Sequence, residues 1–209
     1  MAEGQPCCAA ASLKTPERLT QAYFTPVVRV APISLVVRAS RAAEFAGPDG
    51  QASLKQLKAQ AQWHGRLETA RSYGAALDAL AAAAPALPRS PTARVGQFAE
   101  WVSAGRVDYT LEYANVIEYL RRDRRLREDL ATLPLKEAGE APVAHVVCPR
   151  TRWGLAAITA IDAAIRQAAS SPDFRTAYAR WLPANARAGY QQLADAFYDA
   201  RAQGGPQIE

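Results

Sequence analysis

The stretch SLKTPERLTQAYFTP, residues 12–26, reads as a turn from strand into helix. Thr15 is placed to cap a helix, and Pro16 suits the first helical position, where a missing N–H costs nothing. In front of it PCCAAASL (6–13) is small and apolar, which predicts a buried strand. Behind it APISLVVRAS (31–40) is β-branched and apolar, a second buried strand. FAGPDGQA (45–52) then breaks the pattern with two glycines and a proline.

Past that break the chain alternates. SLKQLKAQ (53–60) predicts a short helix, GRLETA (65–70) a strand, and SYGAALDALAAAA (72–84) a helix opened by Ser72 and stopped by Pro85. VGQFAEWVSAG (95–105) has helical spacing and ends on a C′ glycine, Gly105. RVDYTLEY (106–113) alternates as a strand, and NVIEYLRRDRRLREDL (115–130) reads as helix. After EAGEAP (137–142), VAHVVCP (143–149) reads as a strand followed by three helices ending near Gln203. Strand alternating with helix predicts parallel α/β structure.

Composition bounds the function. The 209 residues are 49% hydrophobic and 22% charged, enough for one or two packed domains. The net charge is +5, but the densest basic run, RRDRRLRED (121–129), is interrupted by acids and reads as a solvated helix face, so no nucleic-acid partner is expected. No apolar run approaches the ~20 residues of a membrane helix, and MAEGQPCC (1–8) has no basic start followed by an apolar stretch. Nucleophile–base, zinc-protease and phosphate-loop motifs are absent, and the histidines His64 and His145 stand far apart, so neither an enzyme, a cofactor nor a metal site is expected.

Four segments in order carry a resemblance. SLKTPERLTQAYFTP, GRLETARSYGAALDAL, SAGRVDYTLEY and the tail VVCPRTRWGLAAITAIDAAI with RWLP resemble segments of bacterial extracellular solute-binding proteins of family 3, over nearly the whole chain. The resemblance implies an α/β, two-lobe fold of the periplasmic-binding-protein type 2 class. Lobe 1 would comprise residues 1–47 and 142–209, and lobe 2 residues 48–141. It implies a monomeric, periplasmic protein that carries a small polar ligand, such as an amino acid, to an ABC permease without inserting in the membrane. A ligand-sensing role without transport is the alternative. Family members have two strand–helix units and a signal peptide ahead of the KTPER-like segment. Met1 stands where an internal codon of a longer gene would fall. The expectation is therefore a chain whose lobe 1 is incomplete at its N-terminus, and a truncated product without function is a further alternative.

The resemblance also places a site. Arg18 aligns with the arginine that clamps a ligand carboxylate, a task suited to its planar fork, with Thr15 and Ser12 as neighbouring hydroxyls. In lobe 2, Ser72 and Tyr73 open a helix beside Gly74. The family's ammonium-binding aspartate is replaced by Tyr113, preceded by Glu112, so that Glu112 becomes the candidate acceptor and Tyr113 a candidate aromatic platform. Asp108, Thr110 and Glu112 share one strand face, and Tyr109, Leu111 and Tyr113 the other. Finally, the strand before the KTPER-like segment lies beside the return strand in this family. That would bring Cys7 or Cys8 to Cys148, so that the resemblance implies a candidate disulfide such as Cys8–Cys148, with one of the two neighbouring thiols left free. Trp153 and Trp181 are expected in the core of lobe 1.

Overall fold

A computed structural model describes residues 6–69 and 71–209. Met1–Gln5, on which the expectation of a missing leading segment rests, lie outside the described residues. Among the described residues the strands are β1 (Ala9–Ser12), β2 (Ala22–Arg29), β3 (Ser34–Arg38), β4 (Leu67–Glu68), β5 (Arg89–Ser90), β6 (Tyr109–Glu112), β7 (Leu130–Pro134) and β8 (Val143–Pro149). The α-helices are α1 (Pro16–Gln21), α2 (Ala42–Phe45), α3 (Leu54–Lys58), α4 (Ala75–Ala82), α5 (Gln97–Ser103), α6 (Ala114–Arg122), α7 (Arg152–Ala168), α8 (Pro172–Thr176) and α9 (Ala184–Gln203). The chain divides into two units: Met1–Val30 with Ala141–Arg180 and Ala184–Glu209, and Ala31–Glu140 with Trp181–Pro183. The first division thus falls after Val30, ahead of the Gly/Pro break at 47/48, because β3 pairs wholly within the second unit.

The first unit is built on a sheet of order β1-β8-β2, antiparallel throughout. The register of β2 on β8 shifts between Pro26 and Val28. Proline has no N–H for the ladder, so a bulge there is its ordinary consequence. Helix α7 covers this sheet, capped by the Thr151 hydroxyl, which accepts from Gly154 N–H at 3.0 Å. Gly154 is required: a Cβ there would lie 1.8 Å from the Pro149 carbonyl oxygen. Ala22, Phe24 and Val147 form a small buried cluster with Leu19.

One buried polar knot joins three elements of this unit. The Asp162 carboxylate accepts from Thr25 Oγ1 at 2.8 Å, Arg201 Nη2 at 2.7 Å, Arg166 Nε at 3.1 Å and the Gln207 backbone N–H at 3.2 Å. The Arg201 cation opposite it is as buried as the acid, which is how a charge can be accommodated in a core at all.

In the second unit β3 is central, in the order β6-β3-β7, and both ladders are antiparallel. Leu35 and Val37 enter one apolar cluster and Val36 the other, so the unbroken run of β3 reflects burial on both faces. β4 and β5 are parallel, and a parallel bridge from Gly65 to Tyr109 links β4 to β6. A Cβ on Gly65 would lie 2.3 Å from the Tyr109 ring, so only glycine allows that bridge. These three strands therefore run the same way, and their carboxyl ends, Glu68, Ser90 and Glu112, share one edge.

Several expectations are corrected. The long ladders are antiparallel, because α/β alternation along the chain does not fix the direction in which separated strands pair. β1 is an exposed edge strand with a neighbour on one side only. The helix over 115–130 stops at Arg122, where Arg124 takes a positive φ of 54°, and Leu130–Pro134 is a strand. Trp153 and Trp181 are both exposed, Trp181 carrying the Arg122 guanidinium over its ring at 4.9 Å. Helix α4 begins at Ala75, with Gly74 at its N-cap, and Ser72 lies outside it.

Cys8 and Cys148 are joined by a disulfide, with Cα atoms 4.4 Å apart, and Cys7 is an exposed free thiol.

Candidate functional site

The site residues of the first unit gather around α1. The Thr15 hydroxyl caps the helix by accepting from Arg18 N–H at 3.2 Å. The Arg18 guanidinium donates through Nη1 to the Leu13 carbonyl at 3.1 Å, which folds it back over the β1–α1 turn. Ser12 ends β1 and pairs with His145 of β8. The His145 ring is buried edge-on against Phe24, with centroids 5.8 Å apart, and burial lowers its pKa. Ser12, Thr15 and Arg18 are thus brought together by one short loop whose geometry the threonine cap fixes.

The second unit assembles a denser group at the shared carboxyl edge of β4, β5 and β6. Its centre is Arg71. This arginine holds Glu112 with two parallel bonds, Nη1 to Oε2 at 2.8 Å and Nη2 to Oε1 at 2.6 Å. Its guanidinium also lies over the rings of Tyr73 and Tyr113, at 5.3 and 5.7 Å. Burial opposes the Arg71 charge, but the Glu112 carboxylate more than compensates, so the pKa moves upward. Burial likewise pushes up the hydroxyls of Tyr73 and Tyr113. The stack of two tyrosines on a paired arginine combines bidentate and cation–π geometry, which only a planar guanidinium supports.

The loop from β4 to α4 is pinned around this centre. Tyr73 accepts from Glu68 N–H at 2.9 Å through its hydroxyl. Asp78 takes the Ser72 hydroxyl at 2.6 Å and the Tyr73 N–H at 3.1 Å, so Ser72 and Asp78 close the turn that the serine alone was expected to cap. Arg89 of β5 donates to the carbonyls of Glu68 and Arg71 at 3.1 and 2.9 Å and to Asp78 at 3.2 Å. Thr92 gives its hydroxyl to Glu68 Oε1 at 2.6 Å. A polar void of about 10 Å³, room for about one water, lies among Glu68, Thr92, Thr110 and Glu112.

The group can be read chemically. Both faces of β6 are buried, so the choice between its two faces does not decide what is presented to solvent. Glu112 is 3% exposed, and its oxygens are engaged by Arg71 and by the Tyr113 N–H at 2.9 Å. Glu68, by contrast, is half-buried, and the nearest Arg71 nitrogen is 3.5 Å from its Oε2. Three arginines, Arg66, Arg71 and Arg89, reach this edge, against three carboxylates, Glu68, Asp78 and Glu112. Glu68 has the longest ion pair of the three acids, 3.5 Å, and is the acceptor that suits a cation such as an ammonium group.

Ser72, Tyr73, Glu112 and Tyr113 are therefore brought together, and Arg71 is what joins them. Sequence reasoning missed Arg71, Glu68, Arg89 and Thr92. The available signal was Glu68 three residues before Arg71, opposite charges that come within salt-bridge range in the fold. Arg89 and Thr92 lie on and just past a strand too short to show alternation. Among the described residues no group of three His, Cys, Asp or Glu side chains could hold a metal ion, and no helix is long and apolar enough to cross a membrane.

No protein-family model and no curated protein matches the sequence. Solved structures do match in shape. An amino acid ABC transporter substrate-binding protein from Streptococcus pneumoniae, bound to L-arginine, superposes with a TM-score of 0.56 at 14% identity, over 87% of this chain and 64% of that one. An ancestral arginine-binding protein bound to arginine gives 0.56 at 16% identity, over 81% and 68%. The GluR0 ligand-binding core in complex with L-glutamate gives 0.53 at 16% identity, over 81% and 69%. The chain thus spans about two thirds of the length of these structures. With this likeness on top of the strand orders above, the chain has the α/β fold of type 2 periplasmic-binding proteins.

Proposed function

We propose that the protein is a solute-binding protein for a small polar ligand, an amino acid or a close relative, that works outside the cytoplasmic membrane with an ABC permease. The observation that carries this reading is the Arg71-centred group at the carboxyl edge of β4, β5 and β6. Ligands of open α/β sheets bind outside the carboxyl ends of the strands. This edge concentrates charged and aromatic side chains that are already locked by their neighbours, which lowers the ordering cost of binding. The solved structures of like fold, two of them holding arginine and one glutamate, favour an amino acid as the class of solute.

In this reading the roles divide by charge. In the first unit Arg18, with the Thr15 and Ser12 hydroxyls beside it, offers a partner for a carboxylate. In the second unit Glu68, positioned by Thr92, offers an acceptor for an ammonium group. Glu112 acts by holding Arg71, which in turn presents the faces of Tyr73 and Tyr113. Ser72 keeps the loop closed on Asp78.

The test is titration calorimetry of the purified chain with L-arginine, L-glutamate and L-cystine. At least one should bind saturably. Glu68→Gln should weaken that ligand by roughly tenfold or more, the loss of a charge-assisted bond. Absence of heat with every amino acid tried, from a chain with a cooperative unfolding transition, overturns the reading.

A further inference from the structure

At the opposite end of the same strands lies a groove that the proposed site does not use. It has a volume of about 530 Å³, within the roughly 300–1,000 Å³ of small-molecule pockets. Its walls come from the chain just before β4, β5 and β6. Trp63 and Leu87 supply apolar surface there, and Tyr109 forms part of the floor. Gly65 lies flat on the Tyr109 ring and keeps this end of β4 open.

The charged groups lining this groove all have one sign. Lys58, Arg66 and Arg106 line it, and no aspartate or glutamate does. Lys58 donates to the carbonyls of Leu80 and Ala83 at the end of α4, which leaves one of its three ammonium hydrogens over. Arg66 spends Nη1 on the Ser90 hydroxyl at 3.2 Å, and its buried Nε has no partner. Arg106 is exposed and lies 6.0 Å from the Trp101 ring, with no ion pair among the described residues. Asp108, between the lining residues Val107 and Tyr109, is taken by Arg41 Nη1 at 2.8 Å and by the His64 backbone N–H at 2.9 Å. A concave surface with uncompensated cations beside flat apolar side chains selects for a particular ligand chemistry.

From this we infer that the groove is a second binding site, for a small organic anion with a flat apolar body, of which an aromatic carboxylate is the simplest case. The carboxylate meets Arg106, and the ring lies on Trp63 and Leu87. The groove shares no lining residue with the Arg71-centred group, so this inference stands or falls independently of the amino-acid reading.

The experiment is a fluorine NMR titration of the whole chain with para-fluorobenzoate, and with the uncharged para-fluorobenzamide as its neutral counterpart. The benzoate should bind saturably and the amide should not. Arg106→Gln should weaken benzoate by roughly tenfold, one charge-assisted hydrogen bond, and Arg106→Lys should recover part of the loss. Arg106 is on the surface, so its variants should unfold as the parent does. Arg127→Gln removes an exposed arginine that does not line the groove and should change nothing. Three results overturn the inference: no saturable benzoate binding, amide binding as tight as benzoate, or equal weakening by Arg127→Gln and Arg106→Gln.

Discussion

Replacing Arg71 by glutamine should leave the Glu112 carboxylate buried without its counter-charge. The side chains of Glu112 and Arg71 are 4% and 24% exposed, and two bonds of 2.6 and 2.8 Å join them. Breaking a buried pair from one side costs about 3–5 kcal/mol, because the remaining charge keeps its desolvation penalty. The partial exposure of Arg71 puts this case at the lower end, about 3 kcal/mol. The opposite variant, Glu112→Gln, should cost less, about 1–2 kcal/mol, since Arg71 retains Glu68 at 3.5 Å and some contact with solvent. The double variant should be more stable than Arg71→Gln alone, since it has no unpaired charge left. The assay is urea unfolding followed by tryptophan fluorescence in a Trp153→Phe background, where Trp63, Trp101 and Trp181 all report on the second unit. A loss of about 3 kcal/mol moves the urea midpoint down by about 1 M or more. A loss below about 1 kcal/mol for Arg71→Gln, or a double variant no better than that single one, would refute the claim that a buried, uncompensated Glu112 sets the cost.

The other predictions concern the first unit and the division of labour at the proposed site. Asp162→Asn should destabilise the first unit by about 3 kcal/mol, because Arg201 is left buried and unpaired. Burial works against the Asp162 charge, yet the bonds from Arg201, Thr25, Gln207 and Arg166 hold its carboxyl below the ordinary aspartate value. A depressed folded pKa contributes stability above the unfolded value of about 3.9 and loses it as pH falls further. Parent and Asp162→Asn should therefore converge in acid unfolding curves below about pH 4 and differ most at neutral pH. Reducing the Cys8–Cys148 bond, which closes a loop with a sequence separation of 140, should lower stability by about 5 kcal/mol on chain-entropy grounds, checked by urea unfolding with and without dithiothreitol. Thiol titration of the native chain should give one reactive group, Cys7; two or three would mean that the bond is not formed. Glu112→Gln should leave amino-acid affinity within a few-fold of the parent while Glu68→Gln does not, and calorimetry on the two variants separates them.

The features legible in the sequence are those that local rules govern. Thr15 caps α1 as its spacing requires, and Gly105 takes a positive φ of 70° just past α5. The β-branched run in APISLVVRAS reads as a buried strand, and β3 is one. Strand Leu130–Pro134 was hidden because the charged run ahead of it has the composition of a solvated helix, and nothing local says that the helix ends at Arg122. Ser72 was misplaced for a related reason. A serine followed by a glycine and alanines has the signature of a cap, but Asp78 draws its hydroxyl away and the helix starts after Gly74.

The site divides along the same line. The resemblance pointed to residues on α1, the β4–α4 loop and β6, and of these the Thr15 cap follows from local rules alone, because capping acts over a few neighbours. The partner of Glu112 was not legible in the sequence. Arg71 and Glu112 are 41 positions apart, and their pairing depends on β4 and β6 running parallel to a common edge, which Gly65 permits by lying against Tyr109. The sequence by itself determined which charges are available and, for most segments, which become strands and helices. Only the tertiary structure decided which of those charges are neutralised inside the fold and which are left at the sheet edge and in the groove, because desolvation and pairing depend on neighbours that chain order does not supply.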